Sequence, residues 1–183
     1  RDILGAEAET IEFLVEAARS HFRKYFFQPI ILPVVEPIQL FARSIGTDTD
    51  IVGKEMFYVS DGHADSIEET RRACLRPEGT ASAVRFYIDR GFFKSNPSQK
   101  LYYFGPMFRN ERPQQGRYRQ FHQIGAEIFG TSEASADAEL ITMLWSFLAK
   151  VVRPDHLDVL KLRLNSLGCT RCRPDFKKKL TEY

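Results

Sequence analysis

Along this chain of 183 residues the period of the apolar positions changes several times, and each change marks an element. Ile11, Leu14, Val15, Ala18 and Phe22 recur at helical spacing, and His21, Arg23 and Lys24 follow where cations suit the negative end of a helix dipole. An amphipathic helix is predicted there. Gln28 to Pro37 is instead a β-branched apolar run interrupted by Pro33, which lacks a ladder donor and so pushes the strand toward an edge or a subunit contact. Ile30, Ile31, Leu32, Val34 and Val35 leave little room for a wet face, so self-association through this edge is favoured over burial within one copy.

Phe41 to Gly46 reads as a short helix end, Thr47 to Lys54 as a polar connection, Met56 to Val59 as a strand, and Ser60 to Ala73 as a surface loop or short helix. Leu75-Arg76-Pro77-Glu78-Gly79-Thr80 leads into a helix carrying Ala81, Val84, Phe86 and Ile88. Glu78 at this junction has two readings, a helix cap or a cation site, and the cap is the commoner use of a carboxylate at a helix start. Two aromatic-rich runs, Tyr102 to Phe108 and Phe121 to Ile128, flank a loop dense in Pro, Gln, Gly and Arg, predicting two antiparallel strands joined by a long functional loop. Asp137 to Val152 is a helix whose Leu140, Ile141, Leu144, Trp145 and Leu148 face the sheet, with Trp145 in the core. Leu157 to Leu164 alternates as a strand, Asn165 to Gly168 turns, and Pro174 to Tyr183 begins a helix. With no repeat and no low-complexity linker, the order predicts an α+β fold with a largely antiparallel sheet.

Composition narrows the class. Hydrophobic residues at 43% and charged residues at 27% describe an ordinary globular chain, and no apolar run is long enough to span a bilayer, so a soluble protein is expected. The chain opens on Arg1-Asp2-Ile3-Leu4-Gly5 without a basic-then-apolar leader, which reads as no secretory signal, and without an initiator Met, which reads as a non-native start. Cys74, Cys169 and Cys172 make no disulfide framework, so a reducing cytoplasm is the default. Cys169 and Cys172 form one C-x-x-C with no second pair, which favours a structural turn over zinc. A net charge of +2 is weak testimony for nucleic acid; the basic tail from Arg171 to Lys179 reads as a solvated helix face.

The chemistry gathers in the central hairpin. Between Arg109 and Arg119 stand four arginines against one glutamate, a loop suited to polyphosphate because guanidinium stays charged and grips oxyanions in a fork. The common phosphate loops, G-x-x-x-x-G-K-[ST] and G-x-G-x-x-G, are absent. Arg109 and Arg117 can hold phosphate oxygens, and Phe121 can stack on a base. Period-two alternation places Phe121, Gln123, Gly125 and Glu127 on one face, a plate, an amide, a gap and a carboxylate in a row, and His122, Ile124, Ala126 and Ile128 on the core face. A plain solvated sheet face is the competing reading of the first set, and a structural core histidine is the reading of His122. No nucleophile or metal motif involves the four histidines, so catalysis would rest on positioning and electrostatics.

Over nearly all its length the chain resembles the histidyl-tRNA synthetases, a family of class II aminoacyl-tRNA synthetases. The residues that carry the resemblance are Arg1-Asp2-Ile3-Leu4, Thr49 to Met56, Arg76-Pro77-Glu78-Gly79-Thr80, Gly116-Arg117-Tyr118-Arg119-Gln120-Phe121-His122-Gln123 and Asn165 to Cys169. The resemblance implies a class II antiparallel catalytic sheet flanked by helices, a homodimer built through motif 1 around Pro33, and the conversion of histidine and ATP, with magnesium, to histidyl-adenylate before transfer to histidine tRNA. It implies that Arg109 bridges the amino-acid carboxylate and the α-phosphate, that Glu111 meets the adenine amino group, Arg117 the outer phosphates and Phe121 the adenine face. Glu78, Thr80 and Gln123 would form the pocket for the substrate amino group, and Glu127 would face the imidazole. The family's histidine-specific segment, motif 3 and anticodon-binding domain are absent from residues 1–183, so the chain reads as a partial, truncated catalytic domain with little or no turnover of its own. Asp61 to Ala73 reads as longer than is typical. The alternative from the same lineage is the histidine-sensing regulatory subunit of ATP phosphoribosyltransferase; Arg109, Glu111, Arg117 and Phe121 standing together argue against it. A tRNA-binding module alone has no separate support.

Overall fold

The computed structural model describes residues 2–45, 56–60, 73–112, 114, 116–152, 156, 160–165 and 171–181. Residues 1–151 form one compact unit and residues 152–183 a second.

In the first unit, α1 (Ala6–Lys24) carries acidic Glu7 and Glu9 in its first turn and Arg23 and Lys24 in its last, each complementing the local end of the dipole. Its buried stripe is Ala17, Ala18, His21 and Phe22. His21 stands in the last turn as well, and its Nε2 lies 3.1 Å from the Met143 carbonyl and 3.0 Å from Ser146 Oγ, inside the helix contact. Helical spacing places it one turn from Ala18 and Ala17, on the stripe that meets the neighbouring helix.

The run from Gln28 to Pro37 is not one strand. β1 (Gln28–Pro29) pairs in parallel with β5 (Gln99–Phe108), whereas β2 (Val35–Pro37) pairs antiparallel with β4 (Ala73–Leu75), whose other neighbour is β3 (Tyr58–Val59). Prolines at 29, 33 and 37 interrupt donation along the segment, and the chain crosses from one sheet to the other between them. Both short strands lie at sheet edges, as Pro33 predicts. Ile31 is 99% exposed and Val34 and Val35 are exposed, whereas Leu32 is buried.

Holding this crossing in place is Arg76, only 3% exposed. Its Nε–H donates to the Pro106 carbonyl at 3.0 Å and its Nη1 to the carbonyls of Leu32 and Pro33 at 2.7 and 3.2 Å. Burial lowers its pKa, opposed by the nearby Glu36 and Tyr103. Glu36, also buried, receives a two-pronged bond from Arg85 at 2.8 and 3.0 Å. Cys74 beside it is pushed up to about 12, chiefly by burial and then by Glu36, so it is an inert thiol.

After α2 (Ile38–Ile45), α3 (Thr80–Asp89) and the single turn α4 (Phe92–Ser95), the chain enters the hairpin. β5 pairs antiparallel along its whole length with β6 (Gln120–Phe129), from Gln99 opposite Phe129 to Phe108 opposite Gln120. α1 and α5 (Ala134–Val151) cover one face of this sheet through Phe22, Phe27, Tyr102, Met143 and Phe147, with Ile124, Ala126 and Ile128 packed against them. The opposite face meets Ala83 of α3 together with Leu32, Tyr103, Met107 and Phe121.

Trp145, Leu144 and His122 lie outside the core. Trp145 is 42% exposed and Leu144 is exposed; the buried residues of α5 are Met143 and Phe147. A helix that is apolar around most of its circumference does not reveal which stripe meets the sheet. His122 keeps the predicted face but not the burial: it is exposed and stacks on Phe104 at 5.5 Å and 10°. The covering helices reach Ile124 and leave the loop end of the face uncovered.

In the second unit, α6 (Arg173–Thr181) is an exposed helix, as the basic tail predicts. Residues 160–165 have no regular structure, so the expected strand from Leu157 to Leu164 is not formed in its described part. Most of Thr47 to Lys54, Asp61 to Ala73, the Asn165 to Gly168 turn and Cys169 lie outside the described residues.

Candidate active site

The site occupies the α3 side of β6. Alternation directs Phe121, Gln123, Gly125 and Glu127 to this side, as the sequence predicts, with the two ends about 20 Å apart at ~3.4 Å per residue.

At the far end, Glu78 stands just before α3 and its carboxylate accepts the backbone N–H groups of Thr80 and Ala81, the latter at 2.9 Å. That is the capping role, and it uses both oxygens. Thr80 Oγ1 donates to Glu127 Oε1 at 2.8 Å, and the Tyr103 hydroxyl donates to the same oxygen at 3.3 Å. Burial raises the Glu127 pKa; the Thr80 and Tyr103 bonds oppose this, and nearby Glu78 adds to it. A separate pocket of about 210 Å³ opens past Glu127 on the α5 side, lined by Ile128, Thr131, Glu133, Asp137 and Leu140.

The gap at Gly125 is filled. Tyr103 lies opposite it in register, and a Cβ at Gly125 would lie 2.2 Å from the Tyr103 ring; a Cβ at Gly79 would meet the same ring at 2.2 Å. Gly125→Ala must displace the phenol, and overpacking of this kind costs about 1–3 kcal/mol. Urea unfolding checks it, and a change below measurement error would mean that the ring has room to move.

Gln123 sits midway with its Oε1 buried and without a partner among the described residues, an amide end able to turn toward a ligand. At the loop end, Arg109 anchors through Nε–H to the Pro77 carbonyl at 3.1 Å and lies 5.0 Å from the centroid of Phe121. Glu111 stands between two cations, 4.0 Å from Arg109 Nη1 and 3.6 Å from Arg117 Nη1, and its buried Oε2 accepts no hydrogen bond among the described residues. Arg117 and Arg119 are exposed; the Arg119 carbonyl receives the Arg109 amide at 2.8 Å, closing the base of the loop.

All eight residues singled out in the sequence therefore lie on or beside one face, in two groups joined by Gln123. Tyr103 and Arg76 were not singled out. A tyrosine within an aromatic-rich strand and an arginine before Pro carry no periodic signal, though Gly79 and Gly125, each made small by the same ring, hold a trace of Tyr103.

Glu127→Gln follows from the raised pKa. The folded carboxyl holds its proton more tightly than the unfolded one, so its contribution is favourable below the ordinary carboxylate range and is lost as pH rises through the raised value. At neutral pH the neutral isostere is expected to stabilise the fold by about 1 kcal/mol, as replacements at functional sites commonly do. Near pH ~4, inside the ordinary carboxylate range, the difference closes. Denaturation at the two pH values checks this, and equal stability of both proteins at neutral pH would contradict it.

An antiparallel hairpin sheet with helices packed on it is the fold of class II aminoacyl-tRNA synthetases. The profile described as histidyl-tRNA synthetase matches residues 1–168. A histidine–tRNA ligase of Thermodesulfovibrio yellowstonii is 50% identical over 183 residues, which are 100% of this chain and 41% of that protein. The solved apo histidyl-tRNA synthetase of S. aureus is 32% identical with a TM-score of 0.73, covering 100% of this chain and 40% of that one. A Bacillus halodurans structure described as an ATP phosphoribosyltransferase regulatory subunit/histidyl-tRNA synthetase shares the fold at 22% identity and a TM-score of 0.65, covering 82% of this chain and 36% of that one. The chain belongs to the histidyl-tRNA synthetase family, and it spans about two fifths of the length of the relatives it matches.

Proposed function

We propose that this chain carries the ATP- and histidine-binding face of a histidine–tRNA ligase, which joins histidine to ATP and passes the histidyl group to histidine tRNA. The observation that carries the reading is the single line of groups along β6, from the Arg109–Glu111–Arg117 cluster through Phe121 and Gln123 to the braced Glu127. A histidine carboxylate oxygen attacks the α-phosphorus as its bond to pyrophosphate breaks, and Arg109 stabilises the charge growing on the phosphoryl oxygens. Arg117 takes the outer phosphates. Phe121 takes the adenine face and Glu111 accepts from the adenine amino group. Thr80, Gln123 and Glu78 serve the substrate amino group; because Glu78 already accepts two amides, Thr80 and Gln123 do the larger part. Glu127 accepts from the imidazole N–H and so rejects side chains that would leave it unpaired.

Among the described residues no three His, Cys, Asp or Glu side chains come together as ligands for a metal ion. Exposed Ile31, Val34 and Val35 support a homodimer through the edge around Pro33. Among the described residues no helix is long and apolar enough to cross a membrane, and a cytoplasmic location goes with the synthetase reading. The regulatory reading is disfavoured because Arg109, Glu111, Arg117 and Phe121 form one cluster that histidine sensing alone would not need.

Calorimetry with histidine and a panel of other amino acids, with and without ATP and magnesium, tests the reading. Histidine-selective heat that ATP strengthens and Glu127→Ala removes is expected; histidine binding indifferent to ATP would instead support the regulatory subunit.

A further inference from the structure

Glu127 is held from two sides, but both holds fall on one oxygen. Thr80, at the start of α3, and Tyr103, on β5, donate to Oε1, while Oε2 accepts no hydrogen bond among the described residues. A carboxylate offers lone pairs on both oxygens, so two hydroxyls on one of them fix the plane of the group and leave the other as the acceptor for a ligand.

The Tyr103 ring cannot follow a drifting carboxylate. Gly79 lies against it from the junction before α3 and Gly125 from β6, both so close that neither tolerates a Cβ, and its neighbours Leu32, Ala83 and Met107 are buried. A hydroxyl on so confined a ring is set by the fold before any ligand arrives, which is how a supporting group preorganises a binding group. Burial raises the phenol's pKa, so it remains a donor at neutral pH.

We infer that Tyr103 is a positioning residue for side-chain selectivity: with Thr80 it pins Oε1 of Glu127 so that Oε2 faces the ring N–H of the bound amino acid. The inference rests on the histidine reading of the site and deepens it. Gly79 and Gly125 belong to the same device, since each gives up its side chain to the tyrosine.

The test is Tyr103→Phe, which keeps the ring between the two glycines and removes only the hydroxyl. It is measured in the protein at its full natural length by histidine-dependent ATP–pyrophosphate exchange, with histidine and both ring-N-methylated histidines as substrates. The KM for histidine is expected to rise about tenfold, the size of one lost bond to a charged group, with kcat and the KM for ATP unchanged. Preference for histidine over the methylated isomers, whose neutral rings carry no N–H, should fall by the same factor. An unfolding midpoint close to the parent's shows that the fold is kept. A histidine KM and preference equal to the parent's would overturn the inference alone. So would parallel losses for ATP and histidine, which a merely structural tyrosine would produce. A parent protein with no histidine-dependent exchange would overturn the underlying reading and the inference with it.

Discussion

Replacing Arg109 with alanine is expected to slow histidine-dependent adenylate formation by about 100- to 1,000-fold, the usual effect of removing one preorganised donor to a developing charge. The geometry explains why so much rests on one side chain. Arg109 leaves β5 where the ladder ends, its backbone N–H closes the loop on the Arg119 carbonyl, and its Nε is spent on the Pro77 carbonyl, so the terminal nitrogens are free to point along the face. Phe121 lies under the guanidinium and Glu111 beside it, which fixes its plane. Arg109→Lys should recover little, because a point charge can neither bridge two oxyanions nor keep the Pro77 anchor. Single-turnover formation of the adenylate checks both variants, and a loss of less than tenfold for alanine would remove Arg109 from its assigned role.

Arg76→Met is expected to cost about 3 kcal/mol or more, since it strands the carbonyls of Leu32, Pro33 and Pro106 at roughly 1 kcal/mol each at the least. The damage should not stay local. Arg76 donates its backbone N–H to Val34 and accepts from Phe108, so the same residue ties the apolar crossing between the sheets to the end of β5, next to Arg109. Lysine cannot serve carbonyls in three directions and should restore only part of the loss. Urea denaturation measures the change. A loss below 1 kcal/mol would mean that water replaces the guanidinium without penalty, and the crossing would then owe its shape to something else.

The hairpin was the most legible part of the chain. Two apolar runs around an arginine-rich loop specified β5, β6 and their antiparallel pairing, and strict alternation placed Phe121, Gln123 and Glu127 on one side. What alternation could not supply was how far the covering helices extend, and so His122 has the right face and the wrong burial. The same gap explains Trp145: helical period tells which residues share a stripe, and several stripes of α5 are apolar. His21 satisfies two patterns at once, standing in the basic last turn of α1 and on its buried stripe. Arg76 and Tyr103 were invisible for a different reason. Their partners are backbone carbonyls and a glutamate far along the chain, and only the assembled sheets bring them together. Glu78 is the instructive middle case, where the cap expected at any helix start is what the carboxylate does.

ATP–pyrophosphate exchange with each of the proteinogenic amino acids, run on the protein at its full natural length, tests the central claim most directly. The line of groups from Arg109 to Glu127 predicts exchange with histidine and with no other amino acid. Exchange driven by a different amino acid, or histidine and ATP bound together without exchange, would contradict it.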